Sequence, residues 1–203
     1  MLGGSMSARI LVVSGSARDE SNVHDIVRIA ATSARAAGAE VRELLLHTLR
    51  LPVMDHGDPE QAKLPAVQEV RTSAAWAEGF ILVTPEYHGN MTGCLKNWFD
   101  YLYPELAGKF AGVLAVTGGG GGDMSITAVK NCFAWCHGFT LPFHAAARAV
   151  DFKDGALHNA RISDRVQRVA YDVVRYAPIL GRAFNEARAL GEGQESGVAG
   201  FHL

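Results

Sequence analysis

Two observations predict an α/β fold, a doubly wound parallel sheet with helices on both faces. Short continuous apolar runs alternate along the chain with segments whose apolar residues recur at helical spacing. The runs lack polar alternation, which suits strands buried on both faces. The second observation is the run Gly79-Phe80-Ile81-Leu82-Val83, which feeds a loop carrying Pro85, Gly89 and Gly93 and then a further helical pattern. Such a strand, loop and helix is where an open α/β sheet builds its ligand site.

The elements follow in order. Arg9-Ile10-Leu11-Val12-Val13-Ser14 reads as a first strand and Gly15 to Glu20 as a loop, with Ser21 or Asn22 as helix cap. Val23, Ile26, Val27, Ala30, Ala31 and Ala34 then share a helical face, and Gly38 supplies the stop. Residues 41–46 form a second strand, 47–61 a loop with Pro52, Gly57 and Pro59, and 64–78 a second helix. After the third strand and its loop comes a short helix through Trp98 and Leu102. Phe110 to Val116 is a fourth strand, and the turn Thr117-Gly118-Gly119-Gly120-Gly121-Gly122 opens a helix through Ile126, Val129 and Phe133. A weaker fifth strand, broken near Pro142, spans 139–150, and a turn spans 151–155. Ile162, Val166, Val169, Ala170 and Val173 mark the last long helix, with a separate short helix after Pro178. The predicted arrangement is flavodoxin-like, with five strands in the order 2-1-3-4-5 and the ligand at the carboxyl ends of strands one, three and four. One domain covers 7–190, with 1–6 and 191–203 as flexible ends.

Composition narrows the function. The formal net charge of −2 leaves no basic face for nucleic acid, so no nucleic-acid partner is expected. Apolar runs are strand-length, too short to insert in a membrane. Residues 1–6 lack the basic and apolar regions of a secretory signal. The three cysteines, Cys94, Cys132 and Cys136, are too few for a disulfide framework and point to a reducing, cytoplasmic setting. Cys132, Cys136 and His137 lie close in sequence but lack a second ligand pair, so no metal is expected.

Three loops compose one site. In the first, Ser14, Ser16, Ser21 and Asn22 offer neutral donors and Arg18 a guanidinium, just ahead of a helix N-terminus with free N–H groups. Together they make a phosphate cradle. There is no G-x-G-x-x-G and no G-K-[ST], which removes the usual dinucleotide and nucleoside-triphosphate sites. In the second loop Tyr87 and His88 suit the face of a flat ring. In the third, Thr117 to Gly122 lets backbone approach a ligand with no side chain between. A phosphate at one end, a planar heteroaromatic at the other and backbone-rich walls fit flavin mononucleotide, FMN.

The residues also carry a resemblance. Gly15-Ser16-Ala17-Arg18-Asp19-Glu20-Ser21-Asn22 and Pro85-Glu86-Tyr87-His88-Gly89-Asn90-Met91-Thr92-Gly93-Cys94-Leu95-Lys96-Asn97 resemble the two motifs of the NADPH-dependent FMN reductase family, over residues 8 to 177. The resemblance implies a flavodoxin-like fold, bound FMN, NADPH or NADH as co-substrate, and a homodimer or homotetramer. It places Ser16, Arg18, Ser21, Asn22 and the neighbouring Val23 at the phosphate, and Pro85, Glu86, Tyr87 and His88 at the isoalloxazine. Thr117, Gly118 and Gly119 lie on the ring's other side. Lys96 and Asn97 fall to the supporting helix. His88 stands where such sequences often carry Asn.

Hydride transfer is chemistry the cofactor carries, so no general base is required. No catalytic side chain is assigned. His88 is the one candidate proton donor to a quinone-like acceptor, against a plain role as a wall residue. His47 and Arg50, after strand two, are exposed loop residues or meet a nicotinamide phosphate or a partner subunit. The expected function is an FMN-dependent NAD(P)H oxidoreductase with ping-pong transfer to a small-molecule acceptor: a quinone, azo compound, metal oxyanion or free flavin. The alternative is a flavodoxin-like electron carrier or regulatory module without turnover. Its usual strong acidity is missing here.

Overall fold

The structure, a computed structural model, describes residues 7–203. The extension 1–6, expected as a flexible end, lies outside the described residues. The first strand, β1 (Arg9–Ser14), is followed by α1 (Asn22–Ala36), β2 (Glu40–Leu45) and a single helical turn, α2 (Leu46–Leu49). Next come α3 (Pro65–Trp76), β3 (Gly79–Pro85), α4 (Gly93–Asp100) and β4 (Phe110–Thr117). The rest is α5 (Asp123–Trp135), β5 (Phe139–Thr140), β6 (Ala145–Arg148), a hairpin of β7 (Phe152–Lys153) and β8 (Ala156–Leu157), and α6 (Ala160–Arg188).

The main sheet has the order β2-β1-β3-β4-β5, all parallel, as the sequence predicts. The fifth strand is interrupted, also as predicted. Phe139 pairs with Phe110, the Leu141 N–H still reaches the Ala111 carbonyl, the chain steps away at Pro142, and Ala145 rejoins β4 opposite Leu114 as β6. Proline cannot donate to the ladder, so the break falls at it. Helices α1 and α6 cover one face of the sheet, and α3, α4 and α5 cover the other. Both faces are therefore dry, which is why the strands read as unbroken apolar runs.

The last helix differs from the expected two segments. It runs 29 residues without a stop and carries Pro178 in its interior. Proline removes one helical hydrogen bond and costs ~3 kcal/mol in a helix interior. The buried stripe Val166, Val169, Ala170 and Val173 nonetheless continues past it to Ala177 and Phe184, so packing carries the helix through. Two glycines let α6 lie this close. A Cβ on Gly112 would stand 2.5 Å from Val169 Cγ1, and one on Gly79 would stand 2.7 Å from the Cβ of Ala177.

The glycine-rich tail, expected as a flexible end, carries secondary structure of its own. Residues Gln194–His202 form 3-10 turns against α6, burying Ser196 and Ala199. His202 Nε2 lies 2.7 Å from His137 Nδ1, and its ring packs against Phe184 and Tyr103. Burial, first, and the neighbouring His137 hold the His202 imidazole below its usual pKa. Glycine content marked the bends but not the apolar shelf on which the tail rests.

Asp151 ties the sheet's far edge to α6. Its carboxylate accepts from the Arg148 backbone N–H at 2.8 Å and from Asn159 Nδ2 at 2.7 Å, and Asn159 in turn caps α6. These bonds, the Arg148 N–H foremost, hold the carboxyl below the ordinary carboxylate pKa. A lowered carboxylate pKa stabilises the fold above the unfolded value and ceases to do so as pH falls through the folded one. Asp151→Ala is expected to cost about 2 kcal/mol at neutral pH, with the difference shrinking below about pH 4, in urea melts across the acid range.

Candidate functional site

The carboxyl ends of β1, β3 and β4 open into one cleft of about 710 Å³. Its first wall is the loop after β1. Gly15 makes that loop possible, because its N–H donates to the Val83 carbonyl at 2.8 Å and a Cβ there would lie 2.9 Å from the same oxygen. Thr92 then fastens the loop to the next one. Its hydroxyl donates to the Gly15 carbonyl and accepts from Leu95 N–H at 3.3 Å, capping α4. The residues of the phosphate cradle converge as expected. Arg18, Ser21, Asn22 and Val23 line the cleft at the N-terminus of α1, where Ser21 Oγ caps by accepting from Val23 N–H at 3.3 Å. Ser16 is set deeper. It is fully buried, and its hydroxyl accepts from the Arg18 N–H at 3.2 Å, shaping the loop from beneath.

The loop is also gripped by two histidines: His24, to which the sequence assigned no role, and His47, which lies in α2 with its side chain largely covered and not in an exposed loop. His24 Nε2 lies 2.9 Å from the Arg18 carbonyl, which can only accept, so the proton sits on Nε2. Nδ1 then accepts from the Ser14 hydroxyl at 3.2 Å. His47 packs on His24 with ring centroids 4.8 Å apart and places Nε2 3.2 Å from an Asp19 carboxylate oxygen. A histidine on the third residue of α1 was visible in sequence, but its partners depend on where the loop folds.

Loops two and three form the other walls. Pro85, Glu86 and Tyr87 line the cleft together with Thr117 and Gly118 from the neighbouring strand. The Glu86 N–H donates to the Val116 carbonyl at 2.9 Å, and its carboxylate accepts from the Ser125 N–H at 3.2 Å. That carboxylate thus meets the positive end of α5, a helix whose N-cap residue, Gly122, has no side chain to do so. Thr117 Oγ1 donates to the Gly120 carbonyl at 2.7 Å and closes the glycine turn. At Gly118 and Gly119 a Cβ would meet nothing, so this turn presents bare backbone to open space. Gly118 lines the cleft and Gly119 does not. A further wall, Ala149 and Gly155, comes from the segment after β6, where the residue pattern predicts only a weak strand and a turn.

His88 is not brought to the cleft wall. It sits with Gly89 at the centre of a tight turn in which Tyr87 and Asn90 exchange both backbone bonds at 3.0 Å. His88 has φ 53° and Gly89 φ 71°, the pairing of a type I′ turn, which favours Asn over His at the first position. Asn97 serves the frame as expected, accepting from Met54 N–H at 2.9 Å and donating to the Pro52 carbonyl at 2.7 Å.

The family model of the NADPH-dependent FMN reductases matches residues 8–151, which span all three loops. The chain belongs to that family. Among its relatives is an NADPH-dependent FMN reductase ArsH of Shigella flexneri, 30% identical over 181 residues, 85% of this chain and 69% of that one. An NADPH azoreductase of a Bacillus species is 30% identical over 135 residues, 66% of this chain and 73% of that one. Among solved structures, the NAD(P)H:(acceptor) oxidoreductase FerB of Paracoccus denitrificans superposes with a TM-score of 0.69 at 20% identity, covering 85% and 98% of the two chains. This last likeness speaks for the fold. Membership brings FMN and a nicotinamide co-substrate, and makes this protein an oxidoreductase.

The residues present fit FMN. A helix N-terminus with hydroxyls and one guanidinium suits a phosphate monoester, and Tyr87 and the side-chain-free backbone of Gly118 line the same cleft. Two outcomes are expected. His24→Ala, which frees the Arg18 carbonyl, weakens FMN binding about ten-fold in a flavin-fluorescence titration, the scale of one charge-adjacent hydrogen bond. His88→Asn raises stability by up to about 1 kcal/mol through relief of the left-handed residue, measured as a higher midpoint in denaturant, and keeps acceptor reduction.

Proposed function

We propose that this protein is an FMN-dependent NAD(P)H oxidoreductase that passes reducing equivalents by a ping-pong route to a small-molecule acceptor of the quinone or azo class. The observation that carries this reading is the meeting of the phosphate loop, the Pro85–Tyr87 loop and the glycine turn in one cleft. In it, Arg18, Ser21, Asn22 and Val23 would hold the phosphate, on a loop that the buried Ser16 shapes from beneath. Pro85, Glu86, Tyr87, Thr117 and Gly118 would hold the ring. FMN bound there would supply the hydride-accepting and electron-donating chemistry that links a nicotinamide to the acceptor.

The chain's own residues bind, orient and exclude. The Thr92 bond to Gly15 and the His24 bond to Arg18 fix the phosphate loop before any ligand arrives, which lowers the ordering cost of binding. The Glu86 carboxylate, held by α5, keeps loops two and three at a set separation. Backbone N–H groups of the 117–120 turn are the donors available to negative charge on the reduced ring. Tyr87, 46% exposed, leaves one side of the cleft open to a second substrate. No side chain in the cleft is needed as a general base.

An apolar patch supports self-association as a homodimer. Trp135 is 81% exposed and Tyr103 46% exposed, beside Cys132 between α4 and α5. The three cysteines are free, which suits the reducing conditions of a cytoplasm. Among the described residues no helix is long and apolar enough to cross a membrane.

The test is anaerobic. Protein reconstituted with FMN is expected to bleach with NADPH and to regain colour on addition of a quinone or azo dye, with parallel double-reciprocal lines when both substrates are varied. Protein that cannot take up FMN would sink the reading. Protein that binds FMN and is reduced, but turns over no acceptor, would favour the carrier.

A further inference from the structure

A second cavity, of about 540 Å³, lies on the other side of the Arg18 loop, between residues 17–19, α2 and the first turns of α4. Arg18 lines both this cavity and the FMN cleft, so the two adjoin. Most of its polar groups are already engaged. Asp19, the one acidic residue in the lining, is 3.2 Å from His47 Nε2. The Asn97 amide is bonded to the backbone at Pro52 and Met54, and the Cys94 thiol donates to the Gly15 carbonyl at 3.1 Å. What remains is two guanidiniums. Neither Arg18 nor Arg50 has an ion-pair partner among the described residues. Arg50 is moreover held in the left-handed region, φ 46° and ψ 47°, as the residue that ends α2. Glycine would take that conformation at less cost, by about 1 kcal/mol. An arginine side chain is thereby kept on the cavity wall at some expense in backbone strain.

We propose that Arg50, with Arg18 and beside His47, forms an anion subsite that takes the 2′-phosphate of NADPH. This rests on the reading of the protein as an FMN-dependent NAD(P)H oxidoreductase. Two guanidinium forks present planar pairs of N–H donors, the geometry that suits a phosphate monoester dianion. Arg18 is shared with the cradle assigned to the FMN phosphate, and its five N–H donors can serve a phosphate on either side, so Arg50 is the cation particular to this site and a second phosphorylated substrate can reach it while the flavin stays bound. NADPH differs from NADH by one such phosphate, so a donor pair here acts as the discriminator between the two. Arg50 is then a specificity-determining residue, with no part in the hydride step.

The experiment uses the FMN-loaded protein and the variants Arg50→Ala and Arg50→Lys. The ratio of kcat/KM for NADPH to that for NADH is expected to fall about ten-fold in Arg50→Ala, through KM for NADPH, and to be partly kept in Arg50→Lys. In calorimetry, adenosine 2′,5′-bisphosphate is expected to bind the wild type at least about ten-fold more tightly than adenosine 5′-monophosphate, and Arg50→Ala to erase the difference. Equal loss with both nicotinamides, or no loss with either, overturns the proposal. So does inorganic phosphate binding as tightly as the bisphosphate, since the anion site would then be unconnected to the dinucleotide. FMN affinity is measured alongside in each protein. Failure of the wild type to hold FMN would refute the flavin reading, whereas overturning this inference leaves FMN bound and acceptor turnover intact.

Discussion

Gly15 stands where β1 gives way to its loop, and its N–H reaches the Val83 carbonyl at 2.8 Å. No side chain fits between them, since a Cβ would press on that oxygen and on Leu95. This close approach draws the first loop over the carboxyl end of β3 instead of letting it swing outward. Thr92 then locks it there with one hydroxyl that donates to Gly15 and accepts from Leu95. The N-termini of α1 and α4 are thereby fixed relative to each other. Everything that a phosphate would meet depends on that register.

The second and third loops are tied by a different device. Glu86 gives its backbone N–H to Val116 and its carboxylate to the N-terminus of α5. A charge placed against a helix dipole in partly buried surroundings is worth up to ~2 kcal/mol. The side chain most readily taken for a catalytic carboxylate is therefore a structural brace. The glycine run it faces is free of such duties at Gly118 and Gly119 and open to the solvent side. A rigid strut opposite a bare backbone wall is a suitable arrangement for a flat cofactor whose own chemistry needs support more than assistance.

The histidines divide along the same lines. His24 and His47 clasp the phosphate loop from its protein side, through a carbonyl and a carboxylate respectively. His88 occupies a turn tip in a strained conformation that Asn would accept more easily. His137 and His202 meet at 2.7 Å and fasten the chain's last turns to the body. Residue type alone does not separate these roles, because each is set by partners distant in sequence.

The sequence by itself determined the parallel sheet, its strand order and the three loops at its carboxyl edge. Those features are written in local terms: apolar runs of strand length, helical spacing, and glycine, serine and proline at the bends. It also carried the loop proposed to hold a phosphate, since residues 16–23 are contiguous. Tertiary structure alone decided the rest. α6 passes through Pro178 because the apolar stripe beyond it has a sheet, Gly79 and Gly112 to lie on, which outweighs one missing hydrogen bond. The tail 191–203 folds back because His137, Tyr103 and Phe184 offer it a shelf. Ala149 and Gly155 join the cleft only when β6 returns to pair with β4. Arg18 and Arg50 come to line one cavity in the same way, through the adjacency of β1 and β2 in the sheet. Contacts between distant residues have no periodic signature, because they form only once the chain has closed on itself.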